Sequence, residues 1–93
     1  MKTVLVCGGR GYENASRVEE ILNHAQLCYG EELLVVQGGA RGADRLAETW
    51  ASYRGVKCVT VPAPWSSHGK AAGTLRNRWM LEIFDVDAVI AFP

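Results

Sequence analysis

The sequence predicts an α/β domain built on a parallel sheet of about four strands in the order βαβαβαβ, with helices layered against the sheet. Three observations predict it. Short apolar, β-branched runs alternate with stretches of helical periodicity. Glycines stand at the ends of the first two of those runs and open onto the helices. The 93 residues suffice for one domain, expected to span 1–93, in which about two thirds of the unfolded chain's surface can be buried.

Each element has its own local warrant. Lys2 to Cys7, "KTVLVC", is a continuous apolar run closed by Gly8 and Gly9, as in a strand buried on both faces. Ser16 and Glu19 stand at capping-box spacing, and Val18, Ile21, Leu22, Ala25 and Tyr29 recur at helical intervals until Gly30. Leu33 to Gln37 reads as a second buried strand. Ala43, Leu46, Ala47, Trp50 and Ala51 then form the inner face of a helix that stops near Gly55. Lys57 to Val61 is the third strand, "PAPWSSHGKAAG" a long loop, Thr74 to about Phe84 a third helix with Leu75, Trp79 and Ile83 on its core side, and Asp87 to Phe92 the fourth strand. Strands alternating with helices in this way pair in parallel through right-handed crossovers, which makes the expected domain Rossmann-like and three-layered.

Composition narrows the function. Ten basic and ten acidic residues cancel, and the 48% hydrophobic fraction is that of a globular chain. No global field draws the molecule to nucleic acid, and no aromatic-basic stripe is present, so nucleic acid is not the expected partner. Cys7, Cys28 and Cys58 lie in apolar runs without paired spacing, so they read as reduced core thiols of a cytoplasmic protein. They and the two histidines offer no metal-ligand spacing. No run approaches the length of a membrane span.

Open parallel sheets bind ligands beyond the carboxyl ends of their strands, where loops gather and helices expose unpaired N–H groups. Gly38, Gly39 and Gly42 fall there, with Arg41 among them, and the first loop repeats the design with Gly8, Gly9, Arg10 and Gly11. Residues without a Cβ let a phosphate approach backbone amides, and an arginine adds a charged fork. The alternative is a tight turn that packs helix on strand. Neither common nucleotide motif is complete. Gly9, Gly11 and Asn14 make G-x-G-x-x-N; Gln37 replaces the acid that would hold a ribose in a dinucleotide enzyme; and Gly69-Lys70 is followed by Ala71 instead of a hydroxyl.

Asp44, in the first turn of a helix, serves either the macrodipole or a site, by accepting from a ribose hydroxyl or holding an arginine. Trp65 could stack on a base, and His68 and Lys70 could meet phosphate; a Trp plugging the sheet edge and a solvated His and Lys are the alternatives. Arg76 and Asn77 follow one turn into the third helix, while Arg78 faces elsewhere. Arg10, Arg41, Lys70 and Arg76 fall at one end of the sheet, and Glu31, Glu32, Asp85 and Asp87 at the other, which polarises the molecule.

The blocks "VVQGGARGAD", "GKAAGTLRNRWM" and "DAVIAFP" resemble the YspA-type, cpYpsA-related branch of the SLOG superfamily of Rossmann-like proteins, which includes the DprA and LOG proteins. The resemblance implies a nucleotide-ligand site assembled from Gly8, Arg10, Gly38, Gly39, Gly42, Asp44, Lys70, Gly73, Arg76 and Asn77. It implies ADP-ribose, NAD-like or other nucleotide-derived ligands. Relatives carry a PGGxGT motif after the last strand and, in LOG-type hydrolases, a glutamate beyond it; this sequence reaches only Pro93, as a minimal protein or a truncated one. The leading expectation is therefore a module that senses or sequesters an anionic nucleotide derivative, with no certain cofactor and with catalysis left open. The alternatives are an N-glycosidic hydrolase, in which Arg76 and Asp44 steady an oxocarbenium-like transition state, and a protein-interaction or DNA-associated subunit. A homo-oligomer is expected because a four-stranded sheet leaves an edge and apolar helix surface uncovered.

Overall fold

The structure, a computed structural model, describes residues 1–62 and 72–93, without the side chains of 72–74 and 77. It is an α/β domain with four strands and three regular helices among the described residues. The strands are β1 (Lys2–Gly8), β2 (Leu33–Gln37), β3 (Lys57–Thr60) and β4 (Val86–Phe92). The helices are α1 (Ala15–Tyr29), α2 (Ala43–Arg54) and α3 (Ala72–Ile83), with a single 3-10 turn, Gly30–Glu32, leading into β2. The sheet runs β3-β2-β1-β4 and every pairing is parallel. The Rossmann-like order follows from the crossovers: β1 to β3 build outward in one direction, and the chain then returns across the sheet to place β4 on the other side of β1.

Burial separates the two faces. On one, Val4, Val6, Leu33 and Val35 pack with Val18, Leu22 and Ala25 of α1 and with Ala43, Ala47, Trp50 and Ala51 of α2. On the other, Leu5, Leu34 and Val36 pack with Met80 of α3. Trp50 is placed by its indole N–H, which donates to Asn23 Oδ1 at 2.9 Å and so satisfies the one polar atom of a large buried ring.

Several local expectations are corrected. The N-cap of α1 is Asn14, not Ser16: its Oδ1 accepts from the Arg17 amide at 3.1 Å, and the helix has begun before the expected capping box. The third helix begins two residues earlier than the periodicity suggests, at Ala72, and β3 ends at Thr60. Met80, 1% exposed, fills the place on the core side that periodicity gave to Ile83, which is 67% exposed. Cys28 is exposed beside His24, while Cys7 and Cys58 are half-buried; one helical register decides this, because Cys28 lies off the Val18–Leu22–Ala25 stripe.

β4 carries an irregularity that places its far end. Thr3 pairs with Val86 but Val4 with Ala88, so Asp87 is an extra residue in the ladder, and its carboxylate accepts from the Thr3 amide at 2.8 Å. From there the register runs cleanly to Gly8 opposite Phe92.

Candidate functional site

The carboxyl ends of β1, β2 and β3 converge on one rim, where the glycine loops, β3 and α3 meet. Gly42 shows how closely. Its backbone adopts φ 82°, ψ −129°, and a Cβ there would run into the Gly9 carbonyl oxygen and come within 2.9 Å of Arg10. Only glycine allows both the dihedrals and that approach, so the two loops are locked back to back. Gly8 ends β1 beside Phe92 and Ala43, which carries the first loop onto the start of α2.

The second loop is held from below by two buried side chains. Asp44, 5% exposed, accepts through Oδ2 from the amides of Gly38 at 3.1 Å and Ala40 at 3.3 Å. Gln37, fully buried, accepts from the Gly39 amide at 2.6 Å through Oε1. Its Nε2 donates to Thr60 Oγ1 at 2.5 Å and Glu48 Oε2 at 3.3 Å, and Thr60 in turn donates to Glu48 at 3.2 Å. Three successive N–H groups are thus spent inside the loop. A buried carboxylate and a buried carboxamide accept from the amides of Gly38, Gly39 and Ala40, so of the expected cradle of Gly38, Gly39 and Gly42 it is the missing Cβ atoms that shape the rim.

Over the loop, in which Gly38 is buried and Gly39 exposed, lies a guanidinium group. Arg76, half-buried on α3, donates from Nη1 to the Gly38 carbonyl at 3.0 Å. A Cβ on Gly38 would stand 2.5–2.6 Å from the Arg76 side chain, so glycine is what lets the arginine lie there. Arg10, Arg41 and Arg76, with Gly38, Gly39, Ala40, Thr60 and Pro62, line a cleft of about 480 Å³. A smaller cleft, about 280 Å³, adjoins it and shares Arg10, Ala40 and Arg76; Cys7, Gly8, Gly9, Asp44, Met80 and Phe92 complete its wall.

Two ionisable groups of the inner cleft are perturbed. Burial pushes the Asp44 carboxyl above its ordinary range, against the pull of the Ala40 and Gly38 amides and of the Arg76 charge. Burial likewise raises the Cys7 thiol, with the Asp44 charge adding to the effect and Arg76 opposing it. Cys58, next to Gln37, is raised by burial as well.

Of the residues singled out from sequence, Gly8, Gly9, Arg10, Gly38, Gly39, Arg41, Gly42, Asp44 and Arg76 come together on this rim. Lys70, Trp65 and His68 lie outside the described residues; Gly73 and Asn77 fall in α3, and their side positions are likewise outside the description. Arg78 is exposed and lines neither cleft. Sequence reasoning missed Thr60 and Gln37 as site-building residues. Gln37 did carry a signal, a polar residue ending a wholly apolar strand. Among the described residues no cluster of three or more His, Cys, Asp or Glu is arranged to hold a metal, and no helix is long and apolar enough to cross a membrane.

Fold and site together define the class: a parallel α/β domain whose clefts open at the carboxyl rim, over glycine loops dressed with arginine. Residues 2–68 match the family described as YAcAr, the YspA, cpYpsA-related SLOG family. Over 98 aligned residues the chain is 38% identical to the gene 61 protein of Mycobacterium phage D29, an alignment that takes in all of this chain and 78% of that protein. No solved structure matches significantly. The chain belongs to the YspA, cpYpsA-related SLOG family.

Proposed function

We propose that this domain binds an anionic small molecule derived from a nucleotide, of the ADP-ribose or NAD-like kind, and acts as a sensor or sequestering module. The observation that carries the proposal is the convergence of Arg10, Arg41 and Arg76 on one cleft whose described lining includes no carboxylate. Guanidinium groups suit phosphate because their fixed fork matches two oxygens at once. Family membership supports a nucleotide-related ligand. Calorimetric titration with ADP-ribose, NAD and cyclic nucleotides tests it. Saturable binding of at least one is expected, weakened about tenfold or more by Arg76→Ala, the scale of a lost hydrogen bond to a charged group. A folded protein that ignores every phosphate-bearing probe would sink the proposal.

A second reading, N-glycosidic hydrolysis, is favoured by one feature: the Asp44 carboxyl, which holds its proton above the ordinary range, lines the inner cleft with Arg76. Chromatography of the same mixtures for released base decides it, and intact nucleotide after long incubation retires it.

A further inference from the structure

The two oxygens of Asp44 lead different lives. Oδ2 takes the Gly38 and Ala40 amides, whereas Oδ1 is buried with no hydrogen-bond partner among the described residues. A buried carboxylate oxygen without a donor is a rare and costly state in a folded protein. Asp44 is 5% exposed and is part of the wall of the inner cleft, which at about 280 Å³ is far larger than one water needs.

The charges around that cleft restrict what can fill it. An anion at Oδ1 would meet a carboxylate, and a cation would meet Arg10 and Arg76, which line the same wall. A neutral O–H or N–H group suffers neither repulsion. Cys7, Met80 and Phe92 supply the apolar remainder of the wall, where the carbon skeleton bearing such a group can pack.

We infer that the inner cleft is a subsite for a neutral donor, in which Asp44 Oδ1 accepts a hydrogen bond from a hydroxyl of the ligand while the ligand's phosphate lies among Arg10, Arg41 and Arg76. The two clefts share Arg10, Ala40 and Arg76 in their walls, and the proposal has one small molecule span both. The favoured ligand class is then a sugar phosphate or nucleoside phosphate with a hydroxyl near its phosphate, as against a bare phosphate or an alkyl phosphate. This deepens the anion-binding proposal and rests on it.

The test pairs ribose 5-phosphate with propyl phosphate, which carries the same anion and no hydroxyl, in NMR titrations of the wild-type chain, Asp44→Asn and Arg76→Ala. On the wild type, ribose 5-phosphate is expected to bind about tenfold more tightly than propyl phosphate. Asp44→Asn should narrow that margin, and the readout is the ratio of the two affinities, because losing the charge beside Arg76 and altering the hold on the loop amides moves both probes together. Arg76→Ala should weaken both probes. Equal wild-type affinities, with both dependent on Arg76, overturn the hydroxyl subsite and leave the anion cleft standing. Binding of neither probe overturns both. The wild-type comparison decides alone should Asp44→Asn fail to fold.

Discussion

Asp44 is where local chemistry and the pH dependence of stability meet. Its carboxyl is raised by burial, so the folded protein holds that proton more tightly than the unfolded chain does. The stability it contributes is therefore fully present below the ordinary carboxylate value and is lost as pH climbs through the raised one. Urea unfolding of the wild type is expected to show a decline just above the ordinary carboxylate range, and Asp44→Asn to flatten that segment. Parallel profiles for the two proteins would contradict it. In the sequence, Asp44 was visible as a charge in a first helical turn, with dipole and site roles equally open. What could not be read was its burial, because that depends on Gly38 and Ala40 folding back over it from six and four residues away. Arg76 was visible in the same incomplete way: its place in a helix followed from spacing, its seat on the Gly38 carbonyl only from the tertiary fold.

Among the elements, the locally periodic ones were the most legible. The inner faces of α1 and α2 match the pattern of Val18, Leu22 and Ala25 and of Ala43, Ala47, Trp50 and Ala51, because helical spacing alone decides which residues share a side. The register of α3 was less so, since Met80 and Ile83 are equally apolar and only the sheet position picks between them. Loop-to-loop contact was not legible at all. The Gly42 position illustrates it: three glycines announce a special backbone, but the approach of Gly9 and Arg10 arises only when β1 and β2 pair side by side. Gly42→Ala is expected to cost about 2–4 kcal/mol by forcing both the backbone dihedrals and the neighbouring loop. Thermal unfolding measures it, and a change below about 0.5 kcal/mol, the scale of a neutral surface substitution, would show that the two loops are not locked.

At the scale of the molecule, the described helices cover the two faces of the sheet unevenly. α1 and α2 shield one face, while on the other, among the described residues, α3 stands alone over Leu5, Leu34 and Val36. Leu81 and Ile83 on α3 are 56% and 67% exposed, and Val89, in register with Leu5, is 55% exposed. Self-association, expected from the sequence, is proposed to bury exposed apolar side chains such as these. Sedimentation velocity is expected to show a species heavier than the monomer at micromolar concentration, and Val89→Lys to shift it toward monomer; a wild type that sediments as a monomer throughout ends the proposal. Charge is uneven as well, with Arg10, Arg41 and Arg76 on the cleft rim and Glu31 and Glu32 in the turn that leads into the start of β2.

The extra residue in β4 has a reach well beyond its own position. A strand presents alternate side chains to opposite sides, so inserting one unit at Asp87 inverts the parity of everything downstream. Ile90 and Phe92 thereby join the layer under α1 and α2, and Phe92 comes to close one wall of the inner cleft. Were the ladder unbroken, Ala91 would take that wall and a phenyl ring would face the side on which α3 packs. The shape of the cleft is therefore set, in part, by a counting step at the far end of the sheet.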